Sequence, residues 1–237
     1  MTTPIKRVGL IVPSSNTTME TEIPKLLRGM VGASMELTFH GSRVRMRHVE
    51  RSELEAMNAQ AQRAMTDLMD APIDAVAYAC LVAIMAMGEG YHRVAASDME
   101  GAAKAAGKNP AVVTSAGALV EELKRDGVKS VAMVMPYADG LARAVASYIE
   151  AEGISVRDYV NLSVTDNTEV GRIPGRVVLE ALSRVKLDGV DRVVLSACVQ
   201  MPSLDILADA ARITGLPVTS AAQCTARALH RALQPVA

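Results

Sequence analysis

The chain has no Trp, one Phe and five Tyr in 237 residues. So few aromatics exclude base-stacking platforms and aromatic carbohydrate clefts, and point to a ligand that is small and not flat. It also lacks an excess of either charge: 25 Lys+Arg face 26 Asp+Glu, for a net charge of -1. No nucleic acid or other polyanionic partner is implied. Cysteine is scarce and odd in number, with Cys80, Cys198 and Cys224 far apart. That spacing suits reduced intracellular thiols and makes neither a disulfide framework nor a zinc site. The four histidines, His40, His48, His92 and His230, show no metal-ligand spacing, and neither GxGxxG nor GxxxxGK[ST] occurs.

Long hydrophobic runs are missing as well. No uncharged stretch exceeds the 14 residues of Ala75 to Gly88, short of the roughly 20 that a membrane span needs. The N-terminus carries a short apolar run ended by a turn, unlike a secretory leader. A cytoplasmic, unprocessed chain without membrane attachment is expected, long enough for one or two domains with a sizeable core.

What is present is an alternation of β-rich and helical segments. Arg7 to Val12 reads as a strand stopped by Pro13-Ser14-Ser15-Asn16; Glu20 to Arg28 reads as a helix that Pro24 shortens or kinks. Met35 to Phe39 suits the next strand. Ser52 and Glu55 resemble a capping box, after which Leu54, Met57, Ala61, Met65 and Leu68 recur at helical spacing as a core stripe. Asp74 to Ala79 and Pro110 to Val113 follow as strands, separated by a helix near Arg93 to Ala106. Such alternation predicts an α/β fold with parallel sheets flanked by helices.

The order then repeats. RVGLIVP ending at Pro13 matches SVAMVMP ending at Pro136, IDAVAYAC ending at Cys80 matches VDRVVLSAC ending at Cys198, and PAVVTSAGALVEELKR from Pro110 is echoed by LPVTSAAQCTARALHR from Leu216. Three matches in order indicate an internal duplication into two pseudo-symmetric α/β halves, the second beginning near Gly127. Ligand loops gather at the carboxyl ends of parallel strands. Cys80 and Cys198, each after a strand, would then face one another across a cleft between the halves.

At such positions backbone N–H groups can lower a thiol pKa, and the equivalence of the two sites favours a reactive pair over two packed cysteines. Cys224 lies on the last helical pattern and reads as core. Asn16 is either a helix N-cap or an amide donor to a carboxylate. The loops of Tyr137 and Asn167 offer further neutral donors in the second half, which would hold a dianion without burying unpaired charge. Arg43, Arg45 and Arg47 alternate and read as a solvated strand edge rather than a guide for anionic substrate.

VGLIVPSSNTTMETEIP from Val8, YACLVA from Tyr78, the Tyr137 loop, DNTEVG from Asp166 and LSACVQMPS from Leu195 together resemble the maleate cis-trans isomerase family of the aspartate/glutamate racemase superfamily. The resemblance spans nearly the whole chain. It implies two α/β domains, residues 1–115 plus 216–237 and residues 116–215, with the site at their interface and the C-terminal helix returning to the first. It further implies cofactor-free conversion of maleate to fumarate by a cytoplasmic homo-oligomer, often a dimer, commonly in nicotinate degradation. By this likeness Cys80 matches the nucleophile and Cys198 the proton donor and acceptor. Asn16, Tyr137 and Asn167 match substrate-binding positions, as do Leu81, Val82, Val199 and Gln200, which act through backbone N–H groups. No metal is expected.

Two alternatives stay open at this stage. A two-cysteine amino-acid racemase must also hold an ammonium group, and the superfamily's glutamate racemases typically carry an acidic residue where this chain has neutral Asn16. A non-catalytic binder of small dicarboxylates would need no reactive thiol. An arylmalonate decarboxylase-like enzyme keeps only the second-half cysteine, so Cys80 counts against it.

Overall fold

The computed structural model describes residues 4–234. Its first half begins with β1 (Ile5–Pro13), α1 (Met19–Val31), β2 (Glu36–Val44) and α2 (Arg51–Met69). It continues through β3 (Ala75–Tyr78), α3 (Leu81–Met85), α4 (Tyr91–Ala105), β4 (Ala111–Thr114) and α5 (Ser115–Arg125). The second half runs β5 (Ser130–Met135), α6 (Asp139–Ala151), β6 (Ser155–Asn161), α7 (Asn167–Gly171) and α8 (Gly175–Leu182). It ends with β7 (Arg192–Ser196), α9 (Leu207–Thr214), β8 (Val218–Ser220) and α10 (Ala221–Leu233). No described helix is long and apolar enough to cross a membrane.

The strands form two four-stranded parallel sheets with the same order, β2-β1-β3-β4 and β6-β5-β7-β8. In each, the chain leaves the first strand toward one edge and returns to the other side of it. The carboxyl ends of β1 and β3, and of β5 and β7, therefore flank a topological switch point, where open α/β sheets leave a crevice for ligands. The central strands β3 and β5 are buried along their whole length, as sheets covered on both faces require. Helix α2 buries Leu54, Met57, Ala61, Met65 and Leu68, the expected stripe, together with Ala64 and Met69. It lies close on β1 because Gly9 carries no side chain: a Cβ there would stand 2.9 Å from Leu68 Cδ1.

Several local expectations change. The capping box does not form, since α2 starts at Arg51 behind Glu50 without a side-chain cap. Glu55 instead pairs with Arg51 at 2.9 Å, while Glu53 accepts the Arg47 and His48 N–H groups. Pro24 sits inside α1, which runs on to Val31. Strand β8 hydrogen-bonds to β7, so Val218–Ser220 belongs to the second sheet although the expected division assigns them to the first half. Helix α10 then crosses to pack on α1, α5, β3 and β4.

A polar cluster also joins the halves. The His92 N–H donates to the Tyr148 hydroxyl at 2.9 Å, and the His92 ring lies 2.5 Å from the same oxygen. Just past the end of α6, Glu152 receives both Arg93 guanidinium nitrogens at 2.7 Å and the Lys124 ammonium at 2.6 Å.

Candidate active site

After β1 the chain turns through Ser14 and Ser15 into the first turn of α1. The Ser15 hydroxyl donates to the Met46 carbonyl at 2.5 Å, and the Ser14 N–H to the Val44 carbonyl at 2.7 Å. Arg43 donates to the Ser14 and Asn16 carbonyls at 2.8 and 3.1 Å and pairs with Glu20. It fastens this loop from outside, and Arg43, Arg45 and Arg47 are exposed while Val44 and Met46 between them are buried. Asn16 itself is buried. Its Oδ1 accepts the Met19 N–H at 3.0 Å, and its Nδ2 has no hydrogen-bond partner among the described residues. One end of this amide thus holds the first residue of α1 while the other has no protein partner.

Cys80 follows β3 at φ 116° and ψ 88°, one of two non-glycine residues with positive φ among those described. Such backbone costs about 1–3 kcal/mol and persists only where the surroundings enforce it. Here Asn58 on α2 is part of that enforcement: it accepts the Tyr78 hydroxyl at 2.5 Å and donates to the Ala83 carbonyl at 2.7 Å. The expectation of a lowered thiol pKa is overturned. Burial pushes Cys80 up to about 12, outweighing the Ala83 and Val82 N–H groups that favour its thiolate. Helix α3, at five residues, is too short to reverse this. Burial likewise raises Cys198, against the Tyr137 hydroxyl and the Gln200 and Met201 N–H groups. Cys224 is buried on α10 beside Thr219, as a core residue.

In the second half, the Tyr137 hydroxyl donates to the Ala197 carbonyl at 2.9 Å, and Asn167 Nδ2 donates to Ser15 Oγ at 2.9 Å. Of the three expected neutral donors, Asn16 is the one whose donor atom lacks a protein partner. The Gln200 N–H, expected to face a ligand, points to Cys198 Sγ at 3.4 Å.

All nine expected site residues line one small cavity: Asn16, Cys80, Leu81, Val82, Tyr137, Asn167, Cys198, Val199 and Gln200. Pro13, Met46 and Val49 complete it. Larger depressions occur elsewhere, such as the one bordered by His92, Arg93 and Arg231, but no cysteine lines it. Met46 and Val49 were not expected. Met46 was signalled only by its place between the exposed arginines, and Val49 by nothing local. Their segment is held across the halves, since Val49 N–H donates to the Thr165 carbonyl at 2.8 Å and Asn167 N–H to the Arg47 carbonyl at 3.1 Å. His48 and Asp166 form an antiparallel bridge between these two bonds.

Two parallel sheets whose strand ends meet at a thiol-lined cavity define a cysteine-bearing member of the doubly wound α/β class, and the arylmalonate decarboxylase (Amdase) family model matches residues 8–235. The maleate isomerase of Alcaligenes faecalis is 51% identical over 221 residues, covering 92% of this chain and 87% of that protein. The chain belongs to the maleate isomerase family. Among solved structures, a cysteine-to-alanine variant of the maleate isomerase Iso from Pseudomonas putida S16 with maleate has a TM-score of 0.94 at 44% identity, covering 97% of this chain and 92% of that one. A cysteine-to-serine variant of Nocardia farcinica maleate cis-trans isomerase, with a covalently bound succinylcysteine intermediate, has a TM-score of 0.93 at 45% identity, with coverage of 97% and 93%.

Proposed function

We propose that this protein isomerises maleate to fumarate through a covalent adduct on Cys80. The observation that carries the reading is that Cys80, Cys198 and Asn16, whose Nδ2 has no partner among the described residues, line one small cavity. The succinylcysteine held by the Nocardia farcinica relative supports it.

Both thiols are protonated at rest, because burial raises each. Addition therefore begins from S–H. Cys80 Sγ bonds C2 of maleate as its proton leaves, and the π pair moves toward C3 and the remote carboxylate. The Asn16 Nδ2–H group stabilises the charge gathering on that carboxylate. Cys198 gives its proton to C3, making a succinyl thioether, and takes up the proton shed by Cys80. The C2–C3 bond is now single and rotates. Cys198 then passes its thiol proton to the departing Cys80 sulfur and takes up a C3 proton in its place, leaving fumarate and two thiols. Atoms and electrons balance without an oxidant, hydride donor or cofactor.

Met46 and Val49 present apolar surface to this cavity, and Tyr137, Asn167, Leu81, Val82 and Val199 contact the bound dicarboxylate. The same reading includes the two-domain division near residues 115 and 216, with β8 kept in the second sheet. A cytoplasmic homo-oligomer, acting in nicotinate degradation, rests on family likeness. The test is proton NMR of maleate with purified protein and no additive. The fumarate singlet should grow with wild type and not with Cys80→Ser, and a succinyl mass should appear on Cys80 in a slowed Cys198→Ala variant. Activity surviving in Cys80→Ser, or an adduct on Cys198 or Cys224, would overturn the assignment.

A further inference from the structure

The Gln200 side chain is buried where three loops meet and makes four hydrogen bonds. Its Oε1 accepts the Thr17 and Thr18 N–H groups at 3.1 and 3.2 Å. Its Nε2 donates to the Ser15 carbonyl at 3.2 Å and the Asn167 carbonyl at 2.9 Å. Only one orientation of the amide satisfies all four, because turning it over would set oxygen against two carbonyls and N–H against two N–H groups. The fit is steric as well. A Cβ on Gly171, at the end of α7, would stand 2.5 Å from Gln200 Nε2, so a glycine there gives the amide its space. Gly171 has no positive φ, so its backbone does not demand glycine.

The partners of this amide bracket the cavity. Ser15 to Thr18 carry Asn16, Asn167 borders the same cavity, and the backbone N–H of Gln200 itself meets Cys198 Sγ at 3.4 Å. We propose that the Gln200 side chain is a positioning residue: it locks the Asn16 loop, the Asn167 loop and the Cys198 loop into one rigid unit spanning the two halves. This rests on the isomerase reading for its kinetic consequence, and on geometry alone for the lock. A donor and a proton-handling thiol contributed by different halves reach one substrate productively only if their separation is fixed. Misplacement by about 1 Å can cost on the order of 100-fold in rate.

Gln200→Met keeps the volume and removes all four hydrogen bonds. The lock predicts that kcat falls by roughly 10- to 100-fold, well beyond any rise in KM. It also predicts that iodoacetamide labels Cys198 at least about 10-fold faster, read by peptide mass spectrometry, because the loop opens to solvent. Gly171→Ala should produce both effects more weakly by pushing on the intact amide, and should add nothing further in a Gln200→Met background. If Gln200→Met fails to fold, Gly171→Ala decides alone. Retained kcat below the melting transition, or unchanged Cys198 labelling, would make Gln200 a packing residue and overturn the lock. Should wild type produce no fumarate, the isomerase reading falls and the labelling rates alone judge the lock.

Discussion

Asn16 Oδ1 accepts the N–H of Met19, the first residue of α1, at 3.0 Å, while its Nδ2 is buried without a partner among the described residues. A buried donor without a partner costs about 1–3 kcal/mol. A dicarboxylate that accepts this N–H recovers that cost on binding. The helix-start acceptor and the proposed ligand donor, alternatives at the level of sequence, then belong to one amide.

Asn16→Asp separates the two roles. The carboxylate still accepts the Met19 N–H and suits a helix N-terminus, which offsets part of the cost of burying its charge, so Asn16→Asp should fold with a lowered melting temperature. Its charge opposes a dianion, so maleate binding should weaken more than in Asn16→Ala. Steady-state kinetics and thermal melts on both variants check this, and wild-type KM in Asn16→Asp would reduce Asn16 to a cap.

The strained backbone of Cys80 predicts an inverse relation between stability and activity. Cys80→Gly and Cys80→Ser should both be inactive. The glycine variant should be more stable than the serine variant by roughly 1 kcal/mol, since it adopts φ 116° without a Cβ penalty. Chemical denaturation of the two proteins measures the difference, and a serine variant as stable as the glycine one would show the turn to be relaxed.

With Cys80 held up to about 12 by burial, the thiol of the free protein should be a poor nucleophile at neutral pH. Its labelling by iodoacetamide should be slow and rise about tenfold per pH unit, without a plateau near neutrality. Peptide-resolved labelling across pH provides the measurement. A plateau below pH 9 would mean that the N–H groups of Ala83 and Val82 outweigh burial.

Glu152 links acid stability to the contact between the halves. Arg93 first, with Lys124 beside it, lowers its pKa from 4.5 to about 2. The folded value lies below the unfolded one, so this contribution is present above 4.5 and drains away as pH falls toward about 2. Glu152→Gln should be less stable than wild type at neutral pH, and the gap should narrow through that window. Denaturation curves along the pH series test it; a gap that is constant with pH would assign the loss to packing.

Much of the architecture was legible because it is written in short-range pattern. The β-branched runs, the core stripe from Leu54 to Leu68 and the echo of the segment ending at Cys80 in that ending at Cys198 each lie within a few turns or one repeat. Strand ends in a parallel sheet gather on one side, so placing Asn16, Cys80, Tyr137 and Cys198 at such ends was enough to bring them to one cavity. Tertiary structure alone decided the rest. The direction of the thiol pKa shifts depends on burial by both halves, which outweighs N–H groups that local reasoning could see. Met46 and Val49 reach the cavity because 47–49 pairs with 165–167, a contact between distant segments with no local signature. Gln200 looks like any polar loop residue until the fold brings Thr17 and Thr18 to its oxygen. Sequence periodicity records which face of an element is buried; which groups from the two halves then meet, and how far water is excluded from them, is set by how the loops at the strand ends of the two halves pack together.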